Sequence, residues 1–219
     1  MPDIRKFPDY FRAYHWSDKH ALYGYPPDTF GDFEWIASLE RRFEWLRANH
    51  AAVGTASLYL IREMIQWGGS QNGVLQKFDE RLGETHLYAL MADVMARIGD
   101  PAGAIEAALQ IPGMGLTYAS KLLRFIAPEH YWALDSRVRG AIEKRLPSAD
   151  IPKIYDGNAN SMINGYVAFT RYLARLRHEL DKGAIARPDC RLKVGTSSSG
   201  WRAADIEMAL FRWAESGEA

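Results

Sequence analysis

A carboxylate and an amine in one short stretch carry the most chemistry in this chain. Asp135 stands in Trp132-Ala133-Leu134-Asp135-Ser136-Arg137-Val138-Arg139, and Lys121 precedes it in Ala119-Ser120-Lys121. A fixed carboxylate stabilises positive charge as it develops and activates a nucleophile. An amine desolvated beside a carboxylate becomes nucleophilic itself. Just upstream, Ile111-Pro112-Gly113-Met114-Gly115-Leu116-Thr117-Tyr118 reads as a tight turn between helices. Pro112 ends the first helix, because it lacks an N–H donor and biases the residue before it out of the α region. Gly113 and Gly115 leave the backbone bare, so the free N–H groups opening the second helix can meet a phosphate oxygen. The alternatives are plain: Asp135 as a helix N-cap, Lys121 as a surface or phosphate-contacting lysine, and the turn as a structural αα-connection.

Apolar spacing supplies the elements that position these groups. Residues recur three and four apart in Trp35, Ile36, Leu39, Phe43 and Leu46, and in Ala119, Leu122, Leu123 and Ile126, as on one face of a helix. The spacing predicts helices from residue 33, over 56–67 with a stop at Gly68-Gly69, over 74–81, 86–98 and 102–110, and from 116. Further helices are predicted over 136–145, 162–180 and 201–214. Asp100 caps the 102–110 helix, with Pro101 at its first position. Residues 1–32 show little periodicity and many rings, among them Tyr10, Phe11, Tyr14, Trp16, Tyr23, Tyr25 and Phe30; they read as an extended arm across the body or as a stacking surface for bases. Residues 147–159 read as a polar loop, 184–200 as irregular. The Gly-Thr-Ser-Ser-Ser-Gly run at 195–200 lacks the ending of a phosphate loop and reads as a linker. No run alternates with period two, so the expected class is all-α.

The chain has 219 residues, 47% hydrophobic and 25% charged, with 27 basic and 27 acidic residues and zero formal net charge. That excludes a broad nucleic-acid-coating protein and leaves room for a local basic face. The one cysteine, Cys190, forms no intrachain disulfide and holds no iron–sulfur cluster. The six histidines show no metal-ligand spacing, and no metal site is assigned. No apolar stretch reaches the ~18 residues of a membrane span, and the N-terminus lacks an apolar signal core; the cytoplasm is the expected compartment.

The hairpin resembles that of the helix-hairpin-helix DNA glycosylases, whose pattern is roughly L-P-G-V-G-x-x-T-A, followed by an aspartate in V-D-T-H-V or L-D-G-N-V. Leu134-Asp135-Ser136-Arg137-Val138 stands in the matching place. With Ala119-Ser120-Lys121-Leu122-Leu123-Arg124-Phe125, the chain is most similar to small bacterial relatives of 8-oxoguanine glycosylases. The resemblance implies two helical lobes flanking a cleft, with 1–98 as arm and helical lobe, 99–146 as hairpin and aspartate segment, and 147–219 as helices completing the lobes of a single unit spanning 1–219. It implies a monomer on double-stranded DNA that flips a damaged or modified base out of the stack and cuts its N-glycosidic bond. Asp135 is then the catalytic carboxylate. Gly113, Met114, Gly115 and Thr117 hold phosphate, with a monovalent cation as an option at the hairpin carbonyls and no other cofactor required. Arg137 and Arg139 flank it as DNA contacts, as could Arg124 and Lys144; Trp67 and Trp132, with Tyr131, are candidates for the pocket wall. Members that also cut the abasic strand carry a lysine at the second position after the second hairpin glycine. Here that residue is Thr117, and Lys121, one turn on along the same face, is the replacement candidate. Two rival readings are a glycosylase for a hypermodified phage base, acting in defence, and a non-catalytic helix-hairpin-helix DNA-binding module.

Overall fold

The structure, a computed structural model, describes residues 2–15, 32–49, 55–84, 86–146, 150–188 and 200–217. The readings made above on Trp16, Tyr23, Tyr25, Phe30, Cys190 and residues 195–199 lie outside the described residues. Those described fold into helices α1 (Phe7–Arg12), α2 (Asp32–Ala48), α3 (Ala56–Trp67), α4 (Val74–Arg81), α5 (Leu87–Ala96), α6 (Pro101–Ala108), α7 (Leu116–Ile126), α8 (Ser136–Arg145), α9 (Ala159–Lys182) and α10 (Ala203–Ser216). No strand occurs among them, and the class is all-α. No described helix is long and apolar enough to cross a membrane.

Two helices form the centre. Every residue of α7 except Thr117 is buried, and so is α10 from Ala203 to Phe211, with Trp213. α2, α3 and α6 pack on α7, α1 and α8 on α10, and α9 on both α6 and α10. The buried side chains of all ten helices join in one hydrophobic cluster. Local chemistry starts several helices where sequence reasoning puts them. Asp100 accepts from the N–H groups of Ala102 and Gly103 at 3.2 and 3.0 Å, with Pro101 next in line.

Two expectations are corrected. The N-terminal arm is helical over α1, where Phe7 and Phe11, one turn apart, are fully buried and meet Trp201 edge-on at 6.3 and 5.7 Å. Tyr14 packs edge-on to Phe211 at 5.8 Å, so these rings belong to the core. The loop expected through residue 159 ends earlier, because Asn158 caps α9, its side chain accepting from the Ser161 N–H at 2.9 Å.

Candidate active site

The hairpin follows α6. The Met114 N–H donates to Ile111 O at 3.1 Å and closes the turn. Gly113 has φ +76°, and a Cβ there would stand 3.0 Å from both Val74 O and Phe78 N. The turn is therefore seated on the start of α4, and only glycine fits. Gly115 is extended and exposed, heads α7, and has open space where a Cβ would be. The N–H groups of Tyr118 and Ala119 return to Gly115 O at 3.1 and 3.0 Å. Those of Gly115, Leu116 and Thr117 have no acceptor among the described residues, as expected of a first helical turn. Met114 is buried.

A second set of bonds ties this helix start to Asp135. Ser120 Oγ accepts from the Leu134 N–H at 2.9 Å and donates to Thr117 O at 3.0 Å. Thr117 Oγ1 donates to Leu134 O at 3.5 Å. Tyr166 OH donates to Trp132 O at 3.0 Å, and Tyr131 OH to Ile98 O at 2.6 Å. The extended segment before α8 is thus clamped along its length. Asp135 ends it as the N-cap of α8, 7% exposed, with Oδ1 accepting from the Arg137 N–H at 2.8 Å.

Lys121 is brought to the same region. It is 3% exposed, and its Nζ lies 5.3 Å from the ring centroids of both Trp67 and Tyr118, the range of a cation–π contact. Tyr118 OH donates to Gly68 O at 3.3 Å and accepts from the Gln71 N–H at 3.0 Å. It thereby joins α7 to a turn with left-handed residues at Ser70 and Asn72. Burial, and to a smaller degree the Asp135 charge, push the Tyr118 hydroxyl pKa up.

Glu207 of α10 completes the group. Burial pushes its carboxyl up to about 7; Arg124 and Lys121 oppose the rise, while Asp135 and Glu40 add to it. All four charges therefore act on one buried carboxylate. Beneath it lies a buried ionic ladder. Arg124 Nη1 is 2.6 Å from Glu40 Oε1, Arg202 Nη1 2.8 Å from Glu40 Oε2, and Arg202 Nη2 2.8 Å from Asp205 Oδ1. Arg187 Nη1 meets Asp205 Oδ2 at 2.7 Å.

The remaining candidates separate. Trp67 stands against Lys121 and edge-on to Phe125 at 4.9 Å. Trp132 packs edge-on to Phe169 at 6.1 Å inside the core, and its indole N–H has no acceptor among the described residues. Tyr131 is buried as well. Arg124 is fully buried on Glu40 and cannot reach a phosphate, which corrects its reading as a surface contact. Arg137 is half-exposed, its guanidinium 3.0 Å from Glu215 and 5.3 Å from the Phe211 ring centroid. Arg139 makes a two-pronged pair with Asp156 at 3.0 and 2.9 Å, which lowers the Asp156 pKa. Sequence reasoning missed Tyr118, Ser120, Glu40, Asp205 and Glu207. A signal existed for two of them: Glu40 sits on the Ile36–Phe43 stripe and Glu207 on the Ala203–Phe211 stripe, where an apolar residue is expected.

Among the described residues no cluster of His, Cys, Asp and Glu is arranged to hold a metal ion. No family model, curated protein or solved structure matches the chain.

Proposed function

We propose that the protein is a DNA glycosylase that flips a damaged or modified base from duplex DNA and cuts its N-glycosidic bond. The observation that carries this reading is the clamp of Ser120 and Thr117 on Leu134. It joins a helix start with free N–H groups to the buried carboxylate of Asp135 in one rigid piece. A phosphate held at Gly115, Leu116 and Thr117 fixes the strand, and the carboxylate then lies at a set distance from it. The reading puts the hairpin and Asp135 at the mouth of a cleft between two helical lobes, with Trp67 on the pocket wall.

In the reaction, the bond from C1′ to the base nitrogen breaks and the base leaves with the electron pair. Positive charge grows on C1′ and the ring oxygen. Asp135 stabilises that charge and orients the attacking group. Water as nucleophile leaves an abasic site. Lys121 as nucleophile forms a C1′–Nζ bond, opens the sugar to an iminium and makes the strand labile to elimination. The substrate suggested by resemblance is 8-oxoguanine; a hypermodified base is the rival.

The test is a panel of end-labelled duplexes carrying 8-oxoguanine, uracil, an alkylated purine or glucosylated hydroxymethylcytosine, with and without alkali. Cleavage of one duplex by the wild type, lost in Asp135→Asn, is the expected result. Binding of duplexes with no cleavage of any would leave the non-catalytic module. Borohydride trapping that persists in Lys121→Ala would remove Lys121 as nucleophile.

A further inference from the structure

Two glycines close α3, and they answer to different demands. Gly69 has φ +93°, the left-handed backbone that turns the chain out of the helix. Gly68 has φ −68° and ψ −6°, which any L-residue adopts. Its bare α-carbon is therefore not required by its own backbone. The neighbours require it. A Cβ at Gly68 would stand 2.7 Å from Tyr118 Cε1, 3.2 Å from Lys121 Nζ and 3.3 Å from Ile65 O. The Lys121 amine thus lies against the side of Gly68 that a side chain would occupy. The rings of Trp67 and Tyr118 flank it, each centroid 5.3 Å from Nζ.

This seat is fixed to α7. Tyr118 OH donates to Gly68 O at 3.3 Å and accepts from the Gln71 N–H at 3.0 Å, so its ring is pinned to the turn. Ile65 O belongs to the last turn of α3, where it accepts from the Ser70 N–H at 3.0 Å. Of the three atoms a methyl group would meet, the amine is the one carried on a flexible stem, and it is the one that gives way. The same connection reaches the hairpin further on, where Val74 O and Phe78 N leave no room for a Cβ at Gly113. Lys121 and the hairpin are thus registered against one stretch of chain, residues 68–78, each through a glycine.

We propose that Gly68 is a positioning residue for Lys121, its missing side chain forming the seat that holds the amine in place. The inference rests on the reading of Lys121 as nucleophile for its purpose, while its first test needs no DNA. The full-length protein is labelled with 13C-lysine, and the Lys121 ε-methylene signal is assigned by its loss in Lys121→Arg. Its position is then compared in wild type, Gly68→Ala and Gly73→Ala. Gly73 lies in the same connection, with φ +67° and nothing within 4 Å of a Cβ, so its replacement strains the turn without touching the seat. The expected result is a ring-shifted signal in the wild type and in Gly73→Ala that moves toward the exposed-lysine position in Gly68→Ala. A signal that stays in place in Gly68→Ala, or moves as far in Gly73→Ala, overturns the proposal. Should Gly68→Ala not fold, the wild type decides. A nuclear Overhauser contact between the Gly68 α-protons and the Lys121 ε-protons supports the seat, and its absence refutes it. On abasic-site duplex, borohydride trapping should fall roughly 100-fold in Gly68→Ala with duplex affinity retained; trapping at the wild-type rate also overturns the proposal. Failure of the glycosylase reading looks different: no trapping by the wild type at all, with the lysine signal responding as expected.

Discussion

The two hairpin glycines make opposite demands, and replacing each by alanine separates fold from function. At Gly113 the φ of +76° is one that an L-residue adopts at a cost of roughly 1–2 kcal/mol. The new Cβ would also stand 3.0 Å from two backbone atoms of α4, Val74 O and Phe78 N, and 3.1 Å from Lys77 Cβ. Backbone atoms cannot swing aside, so the hairpin must lift off α4 at a further cost of about 1–3 kcal/mol. Gly113→Ala is therefore expected to lose roughly 2–5 kcal/mol. Gly115 is extended, with φ −90° and ψ −177°, and has nothing within 4 Å of a Cβ. As the N-cap of α7 it is replaced by alanine for about 1 kcal/mol or less. Its methyl group would project beside the free N–H groups, so under the proposed function this variant should bind duplex DNA more weakly. Urea denaturation gives both stabilities, and a salt titration of duplex binding gives the second readout. Equal stability losses in the two variants would refute the seating of the hairpin on α4.

Other expectations follow from the buried charges and the clamp. Arg124→Met leaves Glu40 with one guanidinium partner instead of two and should cost ~3 kcal/mol in urea denaturation. Glu207 titrates from 4.5 unfolded to about 7 folded. Between those values the folded state binds the extra proton, so stability falls as pH rises through the window, by at most about 3 kcal/mol. Urea unfolding at several pH values should show that fall in the wild type and lose it in Glu207→Gln. Tyr118→Phe removes the hydroxyl bonds to Gly68 O and Gln71 N–H and should cost roughly 1–3 kcal/mol, read as a lower denaturation midpoint.

What was legible in the sequence was local. Pro112, Gly113 and Gly115 encode a turn by backbone chemistry alone, and Asp100 and Asp135 announce helix starts by their own side chains. The long helices showed themselves by period. α1 did not, because a six-residue helix shows just one repeat, Phe7 to Phe11. The start of α9 was misjudged because Asn158 sits in a polar stretch where its capping role looks like ordinary loop chemistry. The carboxylates of Glu40, Asp205 and Glu207 were passed over because charge marks a residue for the surface. Asp205 is paired in part with Arg202 three residues before it, but Glu40 meets arginines from distant parts of the chain, Arg124 and Arg202, and that pairing is invisible until the helices are assembled. For the same reason Arg124 looked like a phosphate contact.

The burial of α7 bears on how this chain can change. Ten of its eleven residues are locked into the core, so a substitution at almost any of them disturbs packing. Thr117 is the exception, half-buried, its hydroxyl donating to Leu134 O at 3.5 Å. Mutational freedom on the helix is thus concentrated at one address, and it lies beside the unbonded N–H groups. A substitution there removes the Thr117 bond to Leu134 O, so the one position on α7 that is free of the core is also a tie to the segment before α8.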